Sequence, residues 1–195
     1  MTVVIREATD GDLAAIGALH LASRMTAYAE IISAEALADT TPDAMAEWWR
    51  ERYRWERDTH RFMVAEDGGT VAGFTYAGPD ETPDAAILHA IHVAPGRIGS
   101  GLGRRLLADV QDWFASQPAW TSASLWVLEG NARARGFYEH HGWRFDGTTT
   151  VDAIGTAMVP MVRYRRSWSH PPVTAGQRET TPSSTVRGCW QGEGT

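Results

Sequence analysis

Three glycines stand at alternate positions, Gly99, Gly101 and Gly103, directly before an apolar pattern with helical spacing. Glycine lets the backbone approach a ligand closely, and the first N–H groups of a helix attract negative charge together with the helix dipole. The segment "PGRIGSGLGRRLL" (95–107) therefore predicts an anion site with phosphate as the leading ligand. A structural turn without a ligand is the alternative.

The spacing of these glycines excludes two familiar nucleotide motifs. A P-loop needs Gly-Lys followed by Ser or Thr, whereas Gly103 is followed by Arg104 and Arg105. The G-x-G-x-x-G pattern of kinases and dinucleotide-binding proteins also fails, because the glycines are spaced by two. The two arginines either contact phosphates or are simply solvated.

The elements that must position this loop alternate between strands and helices. The apolar run "AILHAIHV" (86–93) predicts a buried central strand before the loop, and the stripe from Leu102 to Phe114 predicts a helix after it. A strand over 122–128 follows, then a helix capped by Asn131 and ended by Gly142, and two weaker strands near 143–149 and 158–165.

The first part of the chain predicts a strand over 2–9 and a helix capped by Asp10, followed by a looser segment over 31–37. Thr41-Pro42 is typical of the start of a second helix. Strands over 61–66 and 70–77 flank Asp67-Gly68-Gly69, which predicts a hairpin turn. No internal repeat interrupts this order.

Composition excludes several classes of function. The formal net charge of −6 gives no basic field for a phosphate backbone, so nucleic acid is not expected as a partner. No apolar run approaches the roughly 20 residues that span a bilayer, and no basic, then hydrophobic, leader is present, which predicts a cytoplasmic protein without a membrane partner. Because Cys189 is the single cysteine, an intrachain disulfide is excluded. It lies in the C-terminal tail, where a catalytic thiol would be poorly placed.

Residues 167–195 are rich in Pro, Ser, Thr, Gly and Gln and have few large apolar side chains. Such a segment cannot offset the entropy lost on ordering. One domain over 1–166 is therefore predicted, followed by a disordered tail over 167–195. A chain truncated after Ser167 is expected to keep its stability.

Taken together, "AILHAIHVAP", "IGSGLGRRLL" and "LWVLEGNARARGFYEHHGW" resemble the GCN5-related N-acetyltransferase (GNAT) superfamily. The resemblance extends over 2–166 and includes "IREATDGD", "ALHLASRMTAYAEI" and "VRYRR". It implies an α/β fold of mixed α+β type, the GNAT fold. In this fold about four helices flank a mixed sheet of six or seven strands, which is splayed between the fourth and fifth strands.

The resemblance implies acetyl-CoA as cosubstrate and no metal. Its pyrophosphate would bind the glycine loop through backbone N–H groups, and its pantetheine arm would enter the splay as an extra strand. The loop usually begins with Arg or Gln, whereas Ile98 stands there in this sequence. Because most contacts are made by the backbone, this departure should weaken the site only slightly. The implied cofactor-binding residues are Ile91, His92, Val93, Ile98, Gly99, Ser100, Gly101, Leu102, Gly103, Arg104, Asn131, Phe137 and Tyr138.

Acetyl transfer to an amine requires a proton acceptor, a polarised thioester carbonyl and a proton donor for the thiolate. The resemblance implies Tyr138 as the donor to sulfur and a backbone N–H within 91–93 for the carbonyl. Ile87 replaces the glutamate that many relatives carry, so His89 is the candidate base. Tyr138 and His89 can equally be core residues. Strand alternation places His92 on the opposite face, as a weaker candidate.

The family's acceptor enters over the first two helices, which predicts a pocket lined by Met25, Tyr28, Trp48 and Trp49, with Glu30 nearby. Each of these can also be core. An aromatic wall with a few carboxylates suits a small amine with an apolar body. The predicted activity is direct acetyl transfer to such an amine in a ternary complex. Acetylation of a protein N-terminus or lysine and a non-catalytic acyl-CoA sensor remain alternatives, and a homodimer stays open.

Overall fold

A computed structural model describes residues 3–38 and 40–168 of the 195-residue chain. Helices and strands alternate in the order expected from the sequence. Their bounds are β1 Val4–Glu7, α1 Leu13–Ala27, α2 Ala34–Leu37, α3 Pro42–Glu56, β2 Arg61–Asp67, β3 Thr70–Pro79, β4 Ala85–Val93, α4 Leu102–Ser116, β5 Ser122–Leu128, α5 Ala132–His140, β6 Arg144–Ile154 and β7 Ala157–Ser167.

The strands form one seven-stranded sheet in the order β1-β2-β3-β4-β5-β7-β6. Only the central pair β4–β5 is parallel within this sheet, and the other neighbours are antiparallel. The predicted fold class, a mixed sheet flanked by helices, is confirmed.

The central pair of strands separates partway along its length. Pairing of β4 with β5 runs from Ala85–Ser122 to Leu88–Leu125 and stops there, although both strands continue. On its other side, β4 carries a bulge: Leu88 pairs with Ala77 and Ala90 with Tyr76, which leaves His89 without a partner. A bulge bends its strand and increases the local twist. The strands therefore diverge into a V-shaped gap, as the family resemblance implies for the fourth and fifth strands.

Two apolar cores fill the two faces of the sheet. On one face, α1 and α3 cover an aromatic cluster that includes Trp49, Phe74 and Tyr76. On the other face, α4 and α5 cover a cluster in which Phe114 and Tyr138 are buried. Because the gap opens in the central pair, both cores border it.

The start of α1 differs from the prediction that Asp10 caps it. Residues 10–12 form a 3-10 turn, and α1 begins at Leu13. The Asp12 carboxylate accepts hydrogen bonds from the N–H and hydroxyl of Thr9, and it also forms an ion pair with Arg6 at 2.8 Å. The Thr9–Asp12 capping box therefore fixes the backbone just before α1.

The boundary of the folded part also lies later than predicted. Ser167 ends β7, and the following Trp168 stacks on Phe114 with ring centroids 6.3 Å apart. The Trp168 indole N–H donates to the Trp120 carbonyl at 3.0 Å. Truncation after Ser167 would remove this packed side chain, so we expect it to lower the stability of the domain rather than to be harmless. The remainder of the predicted tail, 169–195, lies outside the described residues.

Candidate active site

The backbone of β4 presents hydrogen-bonding groups to the gap beside β5. Ala94 N–H donates to the Ala72 carbonyl on β3 at 2.9 Å. Because N–H and C=O groups alternate in direction along a strand, residues 90, 92 and 94 face β3 and residues 91 and 93 face the other side. The Ile91 and Val93 backbone groups therefore face the gap, where pairing with β5 has already ended.

The glycine loop lies at the end of this strand and has the conformation that glycine permits. Gly99 and Gly101 have φ values of 84° and 81°, and a Cβ atom on either would meet nothing within 4 Å. The φ values, not crowding, are therefore the reason for glycine at both positions. Gly101 is the N-cap of α4, so the first N–H groups of that helix are open to a ligand.

The rest of the loop divides into exposed and packed side chains. Ile98 is 38% exposed, and Ser100 and Arg104 are exposed, whereas Leu102 is buried in the core. Arg105 donates to the Val3 carbonyl at 2.9 Å, so this arginine has a structural partner. Both arginines are exposed, and Arg105 is the one held by a backbone carbonyl.

Helix α5 closes the side of the gap next to the loop. A Cβ atom on Gly103 would lie 3.7 Å from Val93 Cγ2 and 3.8 Å from Phe137 Cζ, so strand, loop and helix converge there. Asn131 caps α5, its side chain accepting from Ala134 N–H at 3.0 Å. That cap occupies the side-chain oxygen of Asn131 and leaves its amide N–H groups for other partners.

Tyr138 packs at the base of the gap. It is 8% exposed and belongs to the same apolar cluster as Ile91 of β4 and Val127 of β5, the two strands that diverge. Burial, and then the neighbouring Tyr28, raise the pKa of Tyr138 above its ordinary value. The phenol therefore stays protonated at neutral pH and can donate a proton.

His89 lies on the face of the sheet covered by α1 and α3. Its ring contacts His60 and Tyr76, with centroids 5.3 Å and 5.5 Å apart, and the residue is exposed to solvent. Desolvation, then repulsion from His60 and Arg52, lowers the pKa of His89 to about 3. The imidazole is therefore neutral at physiological pH and can accept a hydrogen bond or a proton.

A polar network supports this ring. Tyr76 donates its hydroxyl to the Glu56 carboxylate, which also binds Arg52 at 3.0 Å. The Arg52 guanidinium lies over the rings of Trp48 and Tyr76, 5.0 Å and 5.2 Å from their centroids. Glu56 is thus held by two donors beside the His60–His89 pair.

A second histidine cluster was not recognised from the sequence as a unit. The rings of His20 and His92 are 4.3 Å apart, and His92 Nδ1 is 3.0 Å from the Ser23 hydroxyl oxygen. Trp49 donates its indole N–H to His20 Nδ1 at 3.1 Å. Because indole nitrogen only donates, His20 is the neutral tautomer with its proton on Nε2. The sequence shows His20 one helical turn before Ser23, which could have indicated this cluster, but their partner His92 lies on a strand far along the chain.

The prediction that His92 faces away from His89 is wrong. His92 contacts Phe74, with ring centroids 5.2 Å apart, and His89 contacts Tyr76, which lies on the same face as Phe74. The unpaired bulge residue interrupts the alternation along β4, so both imidazoles lie on the face covered by α1 and α3.

The four predicted acceptor residues are not equivalent. Met25 is 37% exposed, whereas Tyr28 is half-buried against α2 and the β6–β7 hairpin. Trp48 is half-buried beneath Arg52. Trp49 is 1% exposed and surrounded by Phe62, Phe74 and Tyr76, so its assignment to the pocket wall is corrected: it is a core residue that orients His20.

The arrangement fits a long, anionic, thioester-bearing molecule. An exposed glycine loop at a helix N-terminus can bind phosphate, and the free edge of β4 can pair with an extended amide chain. The buried Tyr138 and the accessible His89 provide a proton donor and a proton acceptor. Tyr138 borders the gap from the face covered by α4 and α5, whereas His89 follows the last paired residue of β4, Leu88, on the face covered by α1 and α3.

Comparison with known proteins agrees with this geometry. The model of the acetyltransferase (GNAT) family matches residues 25–143. A Mycobacterium tuberculosis protein named as a probable N-acetyltransferase is 36% identical over 129 residues, which are 64% of this chain and 72% of that protein. The chain therefore belongs to the GNAT family of acetyltransferases, as the resemblance implied, and it is an acyltransferase.

Solved structures share the fold. The PaiA N-acetyltransferase of Thermoplasma acidophilum, in complex with coenzyme A, matches with a TM-score of 0.71 and 19% identity, over 86% of this chain and 100% of that chain. The yncA protein of Salmonella typhimurium, solved with its cofactor acetyl-CoA, matches with a TM-score of 0.65 and 18% identity, over 90% of this chain and 99% of that one.

Within 3–38 and 40–168, no three His, Cys, Asp or Glu side chains are grouped as metal ligands would be. No helix in the same described ranges has the length and apolar character to span a bilayer.

Proposed function

We propose that this acyltransferase moves the acetyl group of acetyl-CoA to the amine of a small molecule within one ternary complex. The observation that carries the proposal is the gap between β4 and β5. The Ile91 and Val93 backbone groups face it, and Tyr138 packs against both of the strands that border it. A relative that binds coenzyme A and another that binds acetyl-CoA share this fold.

When bound, acetyl-CoA supplies the activated acetyl group. The loop N–H groups at Gly99–Leu102 hold its phosphates, and the Ile91 and Val93 backbone pairs with its pantetheine amides. A β4 N–H polarises the thioester carbonyl through a hydrogen bond, which is strongest as negative charge develops on that oxygen. The nitrogen–carbon bond forms as the carbon–sulfur bond breaks.

Two side chains handle the protons. Tyr138 donates its phenolic proton toward the departing sulfur, and His89 accepts the proton that the amine nitrogen loses, directly or through water. Solvent then takes the proton from His89 and returns one to Tyr138, so the net change is one proton moved from nitrogen to sulfur. His89 with its lowered pKa is always neutral at working pH but is a modest base, so the gain that it provides is near the lower end for general base catalysis.

The activity is tested by following thiol release from acetyl-CoA with a panel of small amines and short peptides. Acetylated small amines, identified by mass spectrometry, support the proposal. Acetylation of peptides alone would favour a protein substrate, and the absence of thiol release with every acceptor would favour a non-catalytic coenzyme-binding module.

Two variants test the proton carriers. His89→Gln should lower kcat about 10²-fold near neutral pH, with a defect that shrinks as the amine deprotonates at higher pH. Tyr138→Phe should lower kcat without such rescue, because the lost group is an acid. The matched controls are His140→Gln and Tyr53→Phe: His140 is exposed on α5, and the Tyr53 hydroxyl bonds the Ala8 carbonyl. Full activity in both site variants would leave proximity as the main contribution of the site.

A further inference from the structure

One arginine of helix α1, Arg24, has no counter-ion among the residues that the structure describes. Arg24 lies on α1, one turn from His20 and one turn from Tyr28. Its Nε and Nη2 atoms are buried, and neither makes a hydrogen bond within the described part of the chain. No described carboxylate forms an ion pair with it, whereas Arg6, Arg52 and Arg61 each hold one.

The surroundings of Arg24 are neutral. The pKa values of His20 and His92 are lowered, first by burial and then by nearby positive charge that includes Arg24, so both rings are uncharged at neutral pH. Tyr28 is held in its neutral form by burial, which raises its pKa. The guanidinium therefore lies among aromatic and hydroxyl groups, and none of these can neutralise it.

An unpaired, partly buried guanidinium is costly for a fold. It is tolerated where the missing anion arrives with a ligand, and the planar guanidinium fork matches a carboxylate in a bidentate manner. His20 adds a second donor to the same neighbourhood, because Trp49 fixes its proton on Nε2.

Arg24 also lies next to the groups that border the transfer site. His20, one turn before it, contacts His92 of β4, and Tyr28, one turn after it, neighbours Tyr138. His92 lies at the end of β4 that precedes the glycine loop, but its ring is on the face covered by α1 and α3, whereas α4, the helix that follows the loop, packs on the other face of the sheet. An anion bound at Arg24 would therefore lie across the sheet from α4, on the side where the acceptor is expected to enter.

We propose that Arg24 binds a carboxylate of the acceptor, and that the acceptor is an amino acid or a similar amine bearing an anionic group. This inference rests on the proposed function. It narrows the proposed substrate class from small amines in general to amines that carry a negative charge close to the reacting nitrogen.

The test compares amines that differ only in the carboxylate, such as L-phenylalanine with phenethylamine and L-tryptophan with tryptamine. The wild-type protein should favour the amino acid by about 10- to 100-fold in kcat/KM, the range of a charge-assisted hydrogen-bonded pair. Arg24→Gln should reduce this preference to near unity, mainly through KM for the amino acid. Arg24→Lys, which keeps the charge but loses the fork, should restore part of it.

Arg54→Gln is the matched control, because it removes the same charge from an exposed position of α3. It should leave the preference unchanged. Coenzyme affinity, measured by calorimetry, should be equal in the wild-type and Arg24→Gln proteins. A weaker coenzyme affinity in Arg24→Gln, or equal rates with both members of each amine pair in the wild type, would overturn the assignment.

Failure of the proposed function is distinguishable from failure of this inference. If no amine of any kind is acetylated, the proposed function fails. Calorimetry of L-phenylalanine and phenethylamine against the coenzyme-bound protein then tests Arg24 without turnover. Preference for the amino acid that is lost in Arg24→Gln supports the inference, and equal binding of the two probes contradicts it.

Discussion

The sharpest test of the coenzyme site is the Gly101→Ala variant, which adds a single methyl group to the loop. The residue has φ of 81°, and a Cβ atom there would meet nothing within 4 Å, so Gly101→Ala adds strain without a clash. An L-residue in the left-handed region costs roughly 1–2 kcal/mol. The loop is exposed and lightly bonded, and we expect it to relax toward negative φ in the free protein.

That relaxation turns the N–H groups of the loop away from the position that the coenzyme phosphates would occupy. Restoring the binding conformation costs the same strain, so the Kd for coenzyme A should rise about 5- to 30-fold at 1.4 kcal/mol per factor of ten. The assay is calorimetric titration with coenzyme A, together with thermal unfolding to show that the variant is folded.

Gly96→Ala is the matched control in the same loop. A Cβ atom on Gly96 also meets nothing within 4 Å, but its φ lies outside the left-handed region. Its Kd should equal that of the wild-type protein. Equal Kd values for Gly101→Ala and Gly96→Ala would refute the assignment of the loop conformation to coenzyme binding.

Two predictions concern stability. Trp168→Ala should lower the free energy of unfolding by about 1–3 kcal/mol in urea titrations, because it removes the stack on Phe114, whereas Trp55→Ala, at a side chain 79% exposed, should change it little. An unchanged unfolding midpoint in Trp168→Ala would mean that this contact contributes nothing. Because the folded-state pKa of His92 lies at about 3, below the ordinary 6.5, its contribution to stability is complete above pH 6.5 and is lost as pH falls toward 3. The wild-type protein should therefore lose roughly 1–2 kcal/mol more than His92→Gln between about pH 7 and about pH 5, and parallel losses would show that His92 is not held neutral.

The local features of the fold were readable from the sequence. The alternate glycines before an apolar helical stripe predict the loop and α4, because the ability to adopt a positive φ is a property of glycine itself. The Asn131 cap and the apolar run of β4 are likewise local signals, and both elements are present. The family resemblance then ordered these elements into the mixed sheet.

Only the tertiary structure decided on which face of the sheet each side chain of the site lies. The bulge at His89 depends on the register of β4 against β3, which strand alternation cannot anticipate, and it turns His89 and His92 to the same face. The burial of Trp49 depends on how α3 packs on the sheet. Composition alone assigned Trp168 to the tail, although its partner Phe114 lies 54 residues earlier in the chain.

The isolation of Arg24 is the clearest case. The sequence contains 18 arginines, no lysine, and 24 aspartates and glutamates, and nothing in these counts tells which arginine lacks a partner. Residue type and local spacing determine conformation along the chain. Charge pairing and desolvation depend on distances between remote segments, and only the folded arrangement of α1 against β4 decided them.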